Sequence, residues 1–277
     1  MTTPDWTIAR VLAWSLDRLK SQGVETPRLD AELLLAEAVG VGREALVTGP
    51  ERELEPGQAR LFRELVTRRS RDGEPVAYLL GRRGFRWIEL EVDRRVLVPR
   101  PETELLVEAA LGLPAGSRVL DVGTGSGAVA LALKQERPDL EVTASDISAD
   151  ALAVAAANRD RIGLDVCLKQ ADLLDGLGGG WDAILANPPY VAEGDRAQLS
   201  RELAHEPDGA LFAGPDGLAV IRRLLPAAAA TEAALLAVEV GEGQADGVAA
   251  MALAAGFDEA AVLDDLAGIG RVVVATR

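Results

Sequence analysis

In Thr26-Pro27-Arg28-Leu29-Asp30-Ala31-Glu32-Leu33-Leu34-Leu35 the leucines recur at helical spacing until Gly40 stops the run. Thr26 stands where a helix cap belongs and Pro27 where a first turn tolerates proline. Segments Ile8 to Gln22 and Gln58 to Arg71, the latter after Pro56-Gly57, carry the same signal, so residues 1–80 are predicted to form a small helical bundle. The pattern then changes period. Between Phe85 and Val98, apolar groups (Phe85 and Trp87, Leu90 and Val92, Val96 to Val98) are separated by polar residues, which predicts a β-hairpin connector over 81–98.

From Ser117 onward short apolar strands alternate with helical segments: Arg118 to Val122, Ala128 to Gln135, Glu141 to Ser145, Ala149 to Arg161, Val166 to Lys169 and Asp182 to Ala186. That alternation predicts a parallel sheet with helices on both faces over residues 99–277. After a helix at Leu218 to Ala229, a strand at Leu235 to Val240 and a helix at Ala245 to Ala255, two last strands near Glu259 to Leu263 and Arg271 to Thr276 follow. The link between them is too short for a parallel crossover, so the pair is antiparallel. A Rossmann-like, mostly parallel sheet ending in an antiparallel hairpin is the α/β pattern of the class I methyltransferase fold, not that of a dehydrogenase domain.

Composition narrows the picture. The 277 residues, 48% hydrophobic and 26% charged, suffice for two domains. No run of 18 apolar residues occurs, and Asp5 and Arg10 interrupt the start of the chain, so a soluble, cytoplasmic protein without a membrane span is expected. One cysteine, Cys167, and one histidine, His205, exclude an intramolecular disulfide and leave too few ligands for zinc; both read as structural and no metal is expected. The formal charge is −15, and it is uneven: residues 1–100 hold 17 Lys and Arg against 16 Asp and Glu, whereas residues 101–277 hold 12 against 28. A surface that acidic repels phosphate backbones, so no direct nucleic-acid partner is expected. Eleven arginines between Arg60 and Arg100 form either a solvated face or a surface for an acidic partner.

Val119-Leu120-Asp121-Val122-Gly123-Thr124-Gly125-Ser126-Gly127 runs from a strand through a glycine-rich turn into a helix, the form of a loop that a bulky cofactor approaches closely. The spacing is G-x-G-x-G, not the G-x-G-x-x-G of a pyrophosphate loop. Asp121 suits a cationic amino-acid cofactor, directly through its ammonium group or through a water. Asp146, ending the next strand, stands where a carboxylate accepts from both ribose hydroxyls, and Asp172 with Leu173, after the third strand, where an acid and an apolar neighbour bracket an adenine.

Asn187-Pro188-Pro189-Tyr190 follows the fourth strand of this series, and its two prolines stiffen the corner. A planar NH2 group has two donors; Asn187 Oδ1 and the Pro188 carbonyl accept one each while the Tyr190 ring packs on the plane. With both hydrogens held, the nitrogen lone pair of an amide turns toward an electrophilic methyl without a strong base.

With these motifs the chain resembles the release-factor glutamine methyltransferase family (PrmC/HemK). The resemblance also covers Pro75-Val76-Ala77-Tyr78-Leu79-Leu80-Gly81, Val96-Leu97-Val98-Pro99-Arg100-Pro101-Glu102-Thr103-Glu104, and Glu206-Pro207 leading to Gly214-Pro215-Asp216-Gly217-Leu218. It implies a helical substrate-recognition domain, a hairpin and a seven-stranded catalytic domain. It further implies S-adenosyl-L-methionine as cofactor with S-adenosyl-L-homocysteine as product, and methylation of N5 of the glutamine in the Gly-Gly-Gln motif of class-1 peptide release factors. Gly123, Thr124, Gly125, Ser126, Gly127 and Asp146 carry over as cofactor contacts and Asn187 to Tyr190 as the glutamine site, with Asn187 assigned to both sets. Two positions depart from the family pattern: Gly84 replaces an acidic residue and Leu173 an aromatic. Because Asn-Pro-Pro-Tyr also serves adenine-N6 methyltransferases acting on DNA or RNA, that activity is the alternative; it needs basic phosphate contacts, which the acidic half lacks.

Overall fold

The computed structural model describes residues 6–277; Met1 to Asp5, the first residues of the predicted helical region, lie outside the described residues. Two compact units emerge, one from the chain up to Gly81 together with Ser200–His205, the other from Arg82–Leu199 and Glu206–Arg277.

The first unit holds α1 (Ile8–Ser21), α2 (Pro27–Val39), α3 (Arg43–Thr48), α4 (Pro56–Thr67) and α5 (Val76–Leu80). Their apolar faces bury Ile8, Val11, Leu34, Leu35, Phe62 and Val66 together. Trp14 stands edge-on to both Trp6 and Phe62, at 6.3 and 6.4 Å between ring centres. Two helical expectations need correction. Thr26 does occupy the N-cap position of α2 with Pro27 in the first turn, but its hydroxyl makes no cap bond and donates instead to Asp30 Oδ1 at 2.8 Å, because that carboxylate is buried and needs partners. The helix expected over Gln58 to Arg71 stops at Thr67 and continues as one wide turn, Arg68–Asp72, which turns Arg69 inward onto Asp30 at 2.7 Å.

The second unit opens on a hairpin of β1 (Arg82–Phe85) and β2 (Ile88–Glu91). It is shorter and earlier than the apolar pattern suggested. Trp87 falls in the two-residue turn, and Val96 to Val98 lies in irregular chain with Val96 and Val98 buried, because Arg82 to Gly84 carry the pairing without any apolar signature. Then follow α6 (Glu104–Ala110), β3 (Arg118–Val122), α7 (Ala128–Glu136), β4 (Glu141–Asp146), α8 (Ala149–Ile162), β5 (Cys167–Gln170) and β6 (Ala183–Ala186). The chain ends through α9 (Asp208–Leu211), α10 (Ala219–Ala229), β7 (Leu235–Glu239), α11 (Ala245–Ala254), β8 (Glu259–Asp264) and β9 (Gly270–Thr276). The sheet order is β5-β4-β3-β6-β7-β9-β8, parallel except for β9, which runs antiparallel to both neighbours. This is the class I methyltransferase arrangement that the alternation predicts.

Because side chains alternate along a strand, Leu120, Val122, Ile184, Ala186, Leu236 and Val238 pack on one face with α10 and α11. Asp121, Leu185 and Glu239 turn to the other face, and all three are buried. Chain order reverses between β3 and β6, so the loops leaving their carboxyl ends border the crevice where parallel sheets bind ligands. Among the described residues, no helix is long and apolar enough to cross a membrane.

Candidate active site

Val122 pairs with Ala186 in the register of β3 and β6, so the glycine turn and the Asn-Pro-Pro-Tyr corner leave the sheet side by side. A Cβ on Gly123 would sit 3.8 Å from the Asn187 carbonyl oxygen.

Gly123, Gly125 and Gly127 all have positive φ (73°, 55° and 86°), which this turn requires and other residues resist. The Cβ direction of Gly125 meets open space within 4 Å, room in which a ligand can lie against the backbone. The turn is held from both sides. Asp121 Oδ2 accepts from the Thr124 hydroxyl at 2.6 Å and from Ala130 N–H at 3.3 Å, while Asp146 accepts from Gly125 N–H on Oδ2 and from Ser148 N–H on Oδ1, each at 2.9 Å. Asp146 is half-buried and each of its oxygens keeps acceptor capacity. Asp121, by contrast, is 2% exposed. Burial pushes its carboxyl up to about 7, against the stabilising hydrogen bonds from Thr124 and Ala130. Thr124, Ser126 and Gly127 are buried as well; Asn158 Nδ2 donates to the Ser126 carbonyl at 3.0 Å.

The two residues expected around an adenine are differently disposed. Asp172 is ion-paired with Arg223 of α10 at 2.8 Å, and Leu173, at a φ of 55°, packs partly buried against the sheet core. Sequence reading missed Ile147, directly after Asp146, which is 65% exposed. The only signal the sequence carries for it is its place, an apolar residue directly after the carboxylate that ends the strand.

In the second loop Pro188 is buried and Asn187, Pro189 and Tyr190 are half-buried. Asn187 Nδ2 donates to Thr103 Oγ1 at 3.1 Å, which leaves Oδ1 as an acceptor. The Tyr190 hydroxyl donates to Glu239 Oε1 at 3.3 Å, and the Tyr190 carbonyl accepts from Gln244 Nε2 at 3.0 Å. Burial and the neighbouring Glu239 push the Tyr190 hydroxyl's pKa upward, so it stays a donor. The Pro99 to Glu104 segment and Glu206 meet here too: Glu206 accepts from Arg100 and, at 3.1 Å, from Val98 N–H. Thr103 falls in the Pro99 to Glu104 segment but was given no role there, and Glu239 and Gln244 were not singled out, because each acts across a long stretch of chain.

Residues 10–81 match the family model described as the PrmC N-terminal domain, and residues 101–246 match the Methyltransferase small domain. Proteins named release factor glutamine methyltransferase are similar over most of the chain. The one from Caulobacter vibrioides is 40% identical over 98% of this chain and 97% of its own, that from Deinococcus radiodurans 41% over 96% and 97%, and that from Rhodopirellula baltica 46% over 79% and 78%. Among solved structures, the hMettl16 catalytic domain in complex with MAT2A 3'UTR hairpin 6 superposes with a TM-score of 0.57 at 14% identity, covering 80% of this chain and 82% of that one. A Pyrococcus furiosus methyltransferase gives 0.52 at 16%, covering 79% and 96%. These two are likenesses of fold alone.

Proposed function

The chain belongs to the release factor glutamine methyltransferase family, and from that premise we propose how its own residues carry the reaction. The activity is S-adenosylmethionine-dependent methylation of the side-chain amide of a release-factor glutamine. The glutamine of the Gly-Gly-Gln motif in class-1 factors is the specific target in this reading. An adenine-N6 activity is not favoured: the relatives are glutamine methyltransferases, and residues 101–277 carry 28 acids against 12 bases.

S-adenosylmethionine supplies, when bound, a methyl group on a positively charged sulfur. The open space over Gly125 fits its close approach, and Gly123 to Gly127 form the wall it lies against. Asp146 takes the ribose hydroxyls with the acceptor capacity left after Gly125 and Ser148. Ile147 offers the adenine an exposed apolar face, and Asp172 and Leu173 follow the next strand, β5. Asp121, deep in the turn, shapes the loop by accepting from Thr124 and Ala130.

Asn187 Oδ1 and the Pro188 carbonyl accept the two amide hydrogens of the glutamine, and the Tyr190 ring packs against the amide plane. Held this way, the amide nitrogen would turn its lone pair toward the glycine turn, where the bound cofactor would supply the methyl group, while Asn187 Oδ1 and the Pro188 carbonyl hold the amide hydrogens until solvent takes one as a proton. Rate acceleration comes from positioning and fixed dipoles. The observation that carries this reading is the Asn187 amide pinned by Thr103 so that its oxygen is the free end, beside the glycine turn. The helical region is assigned to recognition of the release factor, and a cytoplasmic location belongs to the same reading.

Asn187→Ala tests it. Methyl transfer to a release factor should be lost while cofactor affinity stays within about threefold, since the side chain removed bonds Thr103 and, in this reading, the glutamine amide. An unchanged rate overturns the assignment.

A further inference from the structure

Behind the acceptor corner lies a carboxyl that the reaction as described does not use. Glu239 ends β7 and is 2% exposed, turned by strand alternation to the face it shares with Asp121. Its Oε1 accepts from the Tyr190 hydroxyl at 3.3 Å, and its Oε2 is buried with no hydrogen-bond partner among the described residues. A buried acid left half-satisfied is a standing cost to the fold, so its presence under a functional loop asks for a reason.

Thr103 supplies one. Its oxygen accepts from Asn187 Nδ2 at 3.1 Å, so its proton must go elsewhere, and that hydroxyl stabilises the ionised Glu239 carboxyl. The order of donors is then fixed: Asn187 amide to Thr103 oxygen, and the Thr103 and Tyr190 hydroxyls toward Glu239. Reversing the Thr103 hydroxyl would set two donors against each other and release the Asn187 side chain to flip.

We propose that Glu239 is a positioning residue for methyl transfer: as a carboxylate it draws the hydroxyl protons of Thr103 and Tyr190, and so holds Asn187 Oδ1 and the Tyr190 ring in the orientation the glutamine amide needs. This rests on the reading that Asn187 to Tyr190 receive that amide. No bond is made or broken at Glu239.

The arrangement is sensitive to pH. Burial pushes the Glu239 carboxyl up to about 7, with Glu102 acting in the same direction and Thr103, Tyr190 and Arg271 opposing it. Arg271 is shared with Asp265, at 2.8 Å, and Arg100 faces Tyr190 while bound to Glu206. Once protonated, Glu239 donates one hydrogen of its own and competes for the Thr103 oxygen that Asn187 uses. Activity is therefore present above the Glu239 pKa and lost as pH falls through it.

The test is methyl transfer to a release factor at saturating cofactor, followed from about pH 5.5 to about pH 9, with the full-length wild type and the Glu239→Gln and Glu239→Asp variants. Wild-type kcat should fall on the acid side with a midpoint near the value that Glu239 carries, about 7. Glu239→Gln should lower kcat about 10- to 100-fold, leave cofactor Kd and release-factor KM within about threefold, and remove the acid limb. Glu239→Asp should restore the limb at a reduced rate. A Glu239→Gln protein with wild-type kcat and the wild-type acid limb overturns the inference alone. So does a loss of cofactor binding in step with kcat, which marks a merely structural residue. A wild type that leaves release factor unmethylated sinks this inference together with the reading beneath it.

Discussion

Adding one methyl group at Gly217 presses on the backbone of the acceptor corner at Tyr190 while leaving every side chain assigned to chemistry in place. Gly217 has a φ of +74°, and a Cβ there would lie 2.2 Å from the Tyr190 carbonyl oxygen, 2.9 Å from its carbon and 3.1 Å from Ala192 N. The left-handed conformation costs alanine roughly 1–2 kcal/mol. Forcing a methyl into packed backbone adds typically about 1–3 kcal/mol, so Gly217→Ala should destabilise by about 2–5 kcal/mol. Relief to ordinary contact, about 3.5 Å, requires a shift of roughly 1 Å between Gly217 and Tyr190. The same carbonyl is held by Gln244 Nε2 at 3.0 Å, so the shift also strains that bond. A displacement of about 1 Å at a positioning group costs on the order of 100-fold in rate. Methyl transfer to a release factor at saturating cofactor, with calorimetric cofactor titration alongside, separates the possibilities. The expected result is a rate about 100-fold down with cofactor Kd within about threefold. A stable Gly217→Ala protein working within about threefold of wild type would refute the link between Gly217 and the corner.

Three further outcomes follow from the same geometry. Asp146→Ala removes the acceptors of Gly125 and Ser148 N–H and those assigned to the ribose; cofactor binding by calorimetry should weaken about 10- to 100-fold, roughly 1.4–2.8 kcal/mol, and an unchanged Kd would remove Asp146 from the site. Arg69→Ala leaves Asp30 buried without its 2.7 Å partner in the helical unit, which should cost about 3–5 kcal/mol in urea denaturation; a loss below about 1 kcal/mol would mean the pair is not desolvated as described. Asp121 and Glu239 both have folded-state pKa values raised to about 7 from ordinary values of 3.8 and 4.5. The folded state therefore binds these protons more tightly than the unfolded chain, and each group lowers stability as pH rises from about 4 to about 7, by up to about 1.4 kcal/mol per pH unit. Asp121→Asn should flatten that slope in cofactor-free protein, and a slope unaffected by the change contradicts the burial argument.

How much of this was legible beforehand depends on whether the signal is local. The runs at Arg118 to Val122, Ala183 to Ala186 and Leu235 to Glu239 are apolar because both faces of their strands are covered, so alternation with helices suffices to read the sheet and its antiparallel end. The glycine turn and the Asn-Pro-Pro-Tyr corner are contiguous motifs, and strand register alone brings Val122 and Ala186 together. The hairpin was set too late because its paired residues Arg82 to Gly84 are polar and glycine-containing. Helix α6 passed unseen beneath the acidic start Glu102-Thr103-Glu104. Thr103 reaches Asn187 across 84 positions, and Glu239 looks in sequence like any acid closing a strand. Period-2 alternation did hold one neglected clue: it turns Asp121 to the same buried face as Glu239, which makes Asp121 an internal support of the turn.

Mass spectrometry of a class-1 release factor incubated with this protein and isotopically labelled S-adenosylmethionine puts the account to its most direct trial. The label should appear as a single methyl on the side-chain amide of the Gly-Gly-Gln glutamine, and the Asn187→Ala protein should leave that residue unmodified. Label on another residue, label on nucleic acid in the same mixture, or full modification by Asn187→Ala would contradict it.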